Sequence, residues 1–182
     1  MPPTLLMESL DRVWNVLNPV APMRALAGGL ALSFWGYPQS TQDIDIAVLL
    51  PNSASDRIDS HLQKAGLSPN RTNHVKDLGV MKVSQWTLPI PESFVDIDVD
   101  LLLGDSEFYQ TALSRRIECD LVGITQSIYV LSCEDLILFK ALAGRMIDLA
   151  DIRELRERNL DSLDQVYLSK WTARLDISLG GP

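Results

Sequence analysis

Carboxylates recur two residues apart in two otherwise apolar stretches: Asp43 and Asp45, then Asp96, Asp98 and Asp100. On a strand, side chains two apart project to one face, so each stretch would line up negative charge. Like charges repel, and the more so when partly desolvated. A divalent cation removes that repulsion. Mg²⁺ takes oxygen ligands and keeps positions open for substrate phosphates, and two-metal phosphoryl-transfer sites hold their ions ~4 Å apart. Asp43 and Asp45 head the run Ile44 to Leu50 and would stand at the mouth of a buried strand. Asp100 leads into Leu101-Leu102-Leu103, the deepest part of its stretch, and is the third metal-ligand candidate ahead of Asp98. Asp96 suits an exposed face. The competing reading is a charged strand edge that blocks unwanted pairing.

Two further groups could act with these carboxylates. Gly28-Gly29 lies between a short strand and a helix start, where backbone N–H groups can approach an anion. A plain tight turn is the alternative. Lys140, Arg145, Asp148 and Asp151 form the last cluster. On an uninterrupted helix Lys140 and Asp151 share one side, and Asp148 and Asp151 are neighbours. There Lys140 could contact phosphates with the aspartates orienting it, against a solvated face whose ion pairs are worth ~0.5 kcal/mol each. Nucleophile chemistry has less to work with, since the two histidines, His61 and His74, fall in polar, surface-type segments. The four tryptophans read as core or groove-lining residues.

The elements that must position these groups follow from periodicity. Leu5 to Leu17 repeats at helical spacing, and residues 24–27 read as a strand running into the glycines. A helical turn follows to Trp35, then a strand over 44–50 closed by Pro51, and a helix over 55–65 capped by Gly66. Strands are expected over 79–88, 94–103, 116–122 and 127–131, with a helix from Ser106. Ser132 opens a long helical stretch to about Arg158, with a break at Gly144, and a last helix spans 162–174 before a disordered tail. The expectation is one α+β domain over residues 1–182: a mixed sheet flanked by helices over about 20–131, and a helical part over about 132–176.

Bulk properties narrow the classes. Apolar residues make up 46% of the chain, which is enough for a core. No apolar run reaches the ~20 residues of a membrane span, and the N-terminus carries no secretion signal, so a cytoplasmic protein without a membrane partner is expected. Cys119 and Cys133 read as free buried thiols. A net charge of −8 disfavours a large nucleic-acid surface.

Taken together, Gly28-Gly29, Asp43-Ile44-Asp45, Asp100 and the stretch from Ser132 to Leu155 resemble the DNA polymerase β-like nucleotidyltransferase superfamily. The resemblance is in particular to the AbiEii-type toxin branch and minimal nucleotidyltransferases near it. The likeness covers about residues 20 to 158. It implies a nucleotidyltransferase-type fold and transfer of a nucleoside monophosphate from an NTP to an acceptor, with two Mg²⁺ ions. Asp43, Asp45 and Asp100 would hold the metal, and Gly28, Gly29, Thr41 and Lys140 would bind the nucleotide. Asp148 would be a base or an orienting residue. The acceptor stays open among RNA, protein and small molecules, and an antitoxin partner is implied for a toxin. One departure stands out: relatives often carry an arginine before the first aspartate motif, where this chain has Gln39. That substitution motivates a second reading, a catalytically degenerate module that binds without turnover. A metal-dependent phosphodiesterase using the same carboxylates is a third.

Overall fold

Strict alternation in the second acidic stretch produces its strand. In the computed structural model, which describes residues 3–51, 55–70, 75–91, 93 and 95–180, this is β6 (Ile97–Gly104). Ile97, Val99 and Leu101 are fully buried on one face, while Asp98 and Asp100 turn to the other. The first acidic stretch forms β2 (Ile44–Leu49), which runs parallel to β6. Their register places Asp45 opposite Asp100.

Shorter strands extend this pair on both sides. β1 (Arg24–Leu26) lies antiparallel to β2, and β8 (Ile128–Val130) runs parallel to β1 with β7 (Ile117–Cys119) at the edge. Beyond β6 comes antiparallel β5 (Lys82–Leu88), which also pairs with β3 (Ser68–Pro69) and β4 (Val75–Asp77). The order is β3-β5-β6-β2-β1-β8-β7, a mixed eight-stranded sheet. Seven helices accompany it among the described residues, giving the expected α+β architecture.

Helix α1 (Pro3–Leu17) buries Leu6, Leu10, Val13, Trp14 and Leu17, the helical stripe seen in the sequence. The glycines open α2 (Gly28–Phe34), which is one short helix between β1 and the loop to β2. After α3 (Ser55–Lys64), Gly66 takes a positive φ of 90°, and Leu67 N–H reaches Leu62 O at 3.0 Å, so the expected glycine cap is present. Ser106 caps α4 (Glu107–Ser114), and Ser132 caps α5 (Cys133–Ala143). The long C-terminal stretch is broken at Gly144, whose φ of 64° is left-handed. It continues as α6 (Met146–Arg158) and α7 (Gln165–Leu175). Trp14, Trp86 and Trp171 are buried, and half-buried Trp35 donates its indole N–H to Leu131 O at 3.0 Å.

Several boundaries differ from the sequence reading. The strand expected over 79–88 begins only at Lys82, because Leu78 and Met81 close a turn with Gly79 at φ 82°. The strand over 116–122 is three residues long, and short, mostly exposed β3 and β4 were not anticipated. Cys119 is half-buried rather than buried, and both cysteines are free. His61 is half-exposed on α3, while His74, Phe94 and the terminal Gly181-Pro182 lie outside the described residues. Among the described residues no helix is long and apolar enough to cross a membrane.

Candidate active site

Because opposite residues on adjacent strands share a face, one row of side chains crosses the sheet. Gln85 on β5 pairs with Asp100 on β6, and Asp100 pairs with Asp45 on β2. Gly28 stands directly against this row. A Cβ at position 28 would overlap the Asp45 carboxylate, and its φ of 56° is left-handed. Only glycine lets the turn approach so closely. A Cβ on Gly29 would meet Thr41 at 2.7 Å, so Thr41 braces the turn from behind.

This row floors a cleft of about 240 Å³. Its polar wall is formed by Asp45, Gln85, Asp100, Lys140, Arg145 and Asp148. Its apolar wall comes from Val83 and Leu102 on the sheet and from Leu136 and Phe139 on α5. Asp43 precedes β2 and is exposed.

Charge within the cleft is unevenly balanced. Lys140 Nζ donates to Asp151 Oδ2 at 2.6 Å and to Asp148 Oδ1 at 3.1 Å. Asp148 also accepts from the Arg145 backbone N–H at 3.0 Å and from its guanidinium at 2.8 and 3.0 Å. Asp148 and Asp151 are 0% and 1% exposed and Lys140 is 8% exposed, so this is a buried cluster and not the solvated helix face that spacing alone allowed. Two cations meet two anions and neutralise them. Asp43, Asp45 and Asp100 have no such partner among the described residues.

Proton affinities follow from that imbalance. Burial pushes Asp45 up to about 6, reinforced by the Asp100 and Asp43 charges and only partly opposed by Lys140 and Arg145. Burial also raises Asp100, against the pull of the Gln85 amide, which donates to both its oxygens at 3.2 Å. Asp43 is raised by desolvation and by Asp98, with Arg145 opposing. Asp148 goes the other way. Burial raises it, but hydrogen bonds and charge from Arg145 and Lys140 prevail and hold it below the usual range.

The sequence-expected residues Gly28, Asp45, Asp100, Lys140 and Asp148 therefore meet at one cleft, with Gly29, Thr41 and Asp43 just outside its lining. Asp98 is exposed and spent on Asn70 and Thr87, and Asp96 is exposed and accepts from Ile90 N–H. Gln85, Lys76 and the pairing of Gln39 with Asp151 are not signalled by the sequence. Gln39 Nε2 donates to Asp151 Oδ1 at 2.7 Å, across 112 residues of chain. No sequence pattern signals that contact.

The chain matches no protein-family model, and comparison with curated proteins finds no sequence relative. Solved structures are more informative. An antigenic nucleotidyltransferase-like protein from Paracoccidioides brasiliensis matches at TM-score 0.55 and 18% identity, over 93% of this chain and 87% of its own. A proposed nucleotidyltransferase from H. pylori matches at TM-score 0.47 and 14% identity, over 91% and 85% of the two chains. Another, from Thermotoga maritima, reaches 0.44 at 14% identity, over 78% and 91%. Of these three, the protein from Paracoccidioides brasiliensis bears on the fold, the other two scores lying below one half. The chain has the fold of nucleotidyltransferase-like proteins.

Proposed function

We propose that this protein is a metal-dependent nucleotidyltransferase that moves a nucleoside monophosphate from an NTP to an acceptor. The observation that carries the reading is the Asp45–Asp100 pair, set side by side across β2 and β6 at a cleft floor that a glycine turn closes. Among the described residues no three Asp, Glu, His or Cys side chains converge to cage an ion. Mg²⁺ does not need such a cage, since one or two carboxylates plus substrate phosphates suffice. Two adjacent carboxylates with raised proton affinity and only oxygen donors fit that role. Asp45 and Asp100 would hold Mg²⁺, with Asp43 at the mouth. When bound, the ions would neutralise charge on the phosphates during displacement.

The chain's own residues supply positioning. Gly28 lets the triphosphate approach the backbone, and the apolar wall from α5 excludes water from one side. Asp148 is saturated with donors and kept ionised, so it orients Lys140 and Arg145 and does not take the acceptor's proton. The new bond joins the acceptor oxygen to the α-phosphorus as the bond from that phosphorus to the α–β bridging oxygen breaks; pyrophosphate leaves, and the acceptor's proton passes to solvent at the open cleft. RNA, protein and small-molecule acceptors all suit an open cleft.

Thermal unfolding with each of the four NTPs, with and without Mg²⁺, tests the reading. Ligand at 100 times its Kd stabilises by ~2.7 kcal/mol, or roughly 5–10 °C for a chain this long. A Mg²⁺-dependent rise with one NTP, absent in Asp43→Ala, is expected; no rise with any NTP refutes the proposal. A toxin role rests on the sequence resemblance and has a separate test. Expression of the wild type, and not of Asp43→Ala, should arrest growth.

A further inference from the structure

Among the described residues three cations line the cleft, and two of them are already matched. Lys140 has its ammonium on two buried aspartates, and Arg145 has its guanidinium on Asp148. Lys76, on β4, lines the same cleft, is exposed, and has no ion pair or hydrogen bond from its side chain among the described residues. Its register places it opposite Val83, which shares a strand face with Gln85. Lys76 therefore stands on the same sheet face as the Asp45–Asp100–Gln85 row, in the neighbouring row with Val83 and Leu102. Its charge already acts on Asp100, drawing that carboxyl down. Leu78, two residues on, also lines the cleft, so the β4–β5 hairpin presents one cation and one apolar side chain to it.

We infer that Lys76 binds the polyphosphate tail of the donor, the role that the sequence suggested for Lys140. The inference rests on the nucleotidyl-transfer reading above. A triphosphate brings several negative charges to a floor that is itself acidic. Metal ions offset part of that charge, and a free ammonium at the rim offsets more. An unpaired, flexible lysine suits this, because no existing ion pair must break before it engages phosphate. Lys140 cannot serve as cheaply: releasing it would leave two buried carboxylates uncompensated.

Equilibrium binding of ATP, GTP, CTP and UTP, and of the matching monophosphates, to wild type and Lys76→Met in the presence of Mg²⁺ decides the matter. Lys64→Met, an exposed lysine on α3, serves as the control. Removing a charge-assisted hydrogen bond to the tail should weaken triphosphate binding about tenfold or more. Monophosphate binding should change far less, so the triphosphate-to-monophosphate preference collapses in Lys76→Met and persists in Lys64→Met. Lys76→Gln, which keeps a polar tip, should behave like Lys76→Met, and both should keep the wild-type Tm. An unchanged preference in both variants overturns the Lys76 assignment and leaves the transferase reading standing. A wild type that binds none of the four triphosphates overturns the transferase reading, and the Lys76 assignment falls with it.

Discussion

Replacing Asp45 with asparagine should make the apo protein more stable, against the usual direction for a half-buried polar residue. The Asp45 carboxyl has a folded pKa of about 6, against an ordinary 3.8. A proton is therefore held more tightly in the folded state. Below pH ~4 both states are protonated and the group is neutral in the balance. Between pH ~4 and about 6 the unfolded state ionises while the folded state holds its proton, so stability falls across that window, and above it the folded protein carries the charge at the full penalty. At 1.36 kcal/mol per tenfold change in proton affinity, the full penalty is ~3 kcal/mol. Solvent at the cleft mouth screens it to about half, so Asp45→Asn should gain ~1.5 kcal/mol at pH 7.5. That corresponds to roughly 3–6 °C in Tm. At pH 5 about half of the penalty has developed, and the gain should shrink to about half as well. Scanning calorimetry between pH 5 and 8 stays above the sequence pI of about 4.7 and reads both numbers. A variant no more stable than wild type at pH 7.5, or a gain that ignores pH, would refute the claim that this carboxylate is uncompensated.

Other perturbations separate the cleft's parts. Gly28→Ala places a Cβ on the Asp45 carboxylate at a left-handed φ, so a stability loss of at least ~1–2 kcal/mol in urea melts is expected, together with loss of any Mg²⁺-dependent Tm rise. Lys140→Met leaves Asp148 and Asp151 buried without their shared ammonium. It should cost ~3 kcal/mol, since Arg145 still holds Asp148, and Tm should fall by roughly 6–12 °C. Gln85→Leu removes both hydrogen bonds that the Gln85 amide donates to Asp100, raising that carboxyl further and moving the acid limb of the activity profile to higher pH. A profile that stays in place would show that Asp100 does not limit activity.

Where local chemistry decided the outcome, the sequence was legible. β2 and β6 announce themselves by apolar residues alternating with aspartate, and Gly66, Ser106, Ser132 and Gly144 mark real helix ends. Of the carboxylates and glycines chosen from spacing, Gly29 and Asp43 do not line the cleft, while Gly28, Asp45, Asp100 and Asp148 do. Their register was beyond reach, because a parallel pairing of Asp45 with Asp100 depends on a crossover that no local pattern encodes. β3 and β4 were missed for a different reason: their residues are exposed, so burial wrote no alternation into them. That silence hid Lys76. Lys140, Asp148 and Asp151 do meet, but across the break at Gly144 between α5 and α6 and not along the one uninterrupted helix that spacing assumes, and spacing could not say whether they faced water or the interior.

That burial bears on how the two parts of the chain cooperate. Asp151 accepts from Lys140 on α5 and from Gln39 in the loop before β2, while Lys140 also holds Asp148. The network thus ties α5 and α6 to the segment that leads into Asp43. Each bond in it is charge-assisted, the stronger class of hydrogen bond, and the buried ions cannot be left singly without large cost. An arginine at position 39 would bring a third cation to two anions. Glutamine keeps the tie while leaving the cluster neutral, so the network's charge neither adds to nor cancels the negative potential of Asp43, Asp45 and Asp100. Gln39 is therefore an intact structural link beside this cleft, and a glutamine where the sequence resemblance implies an arginine does not argue for an inert site.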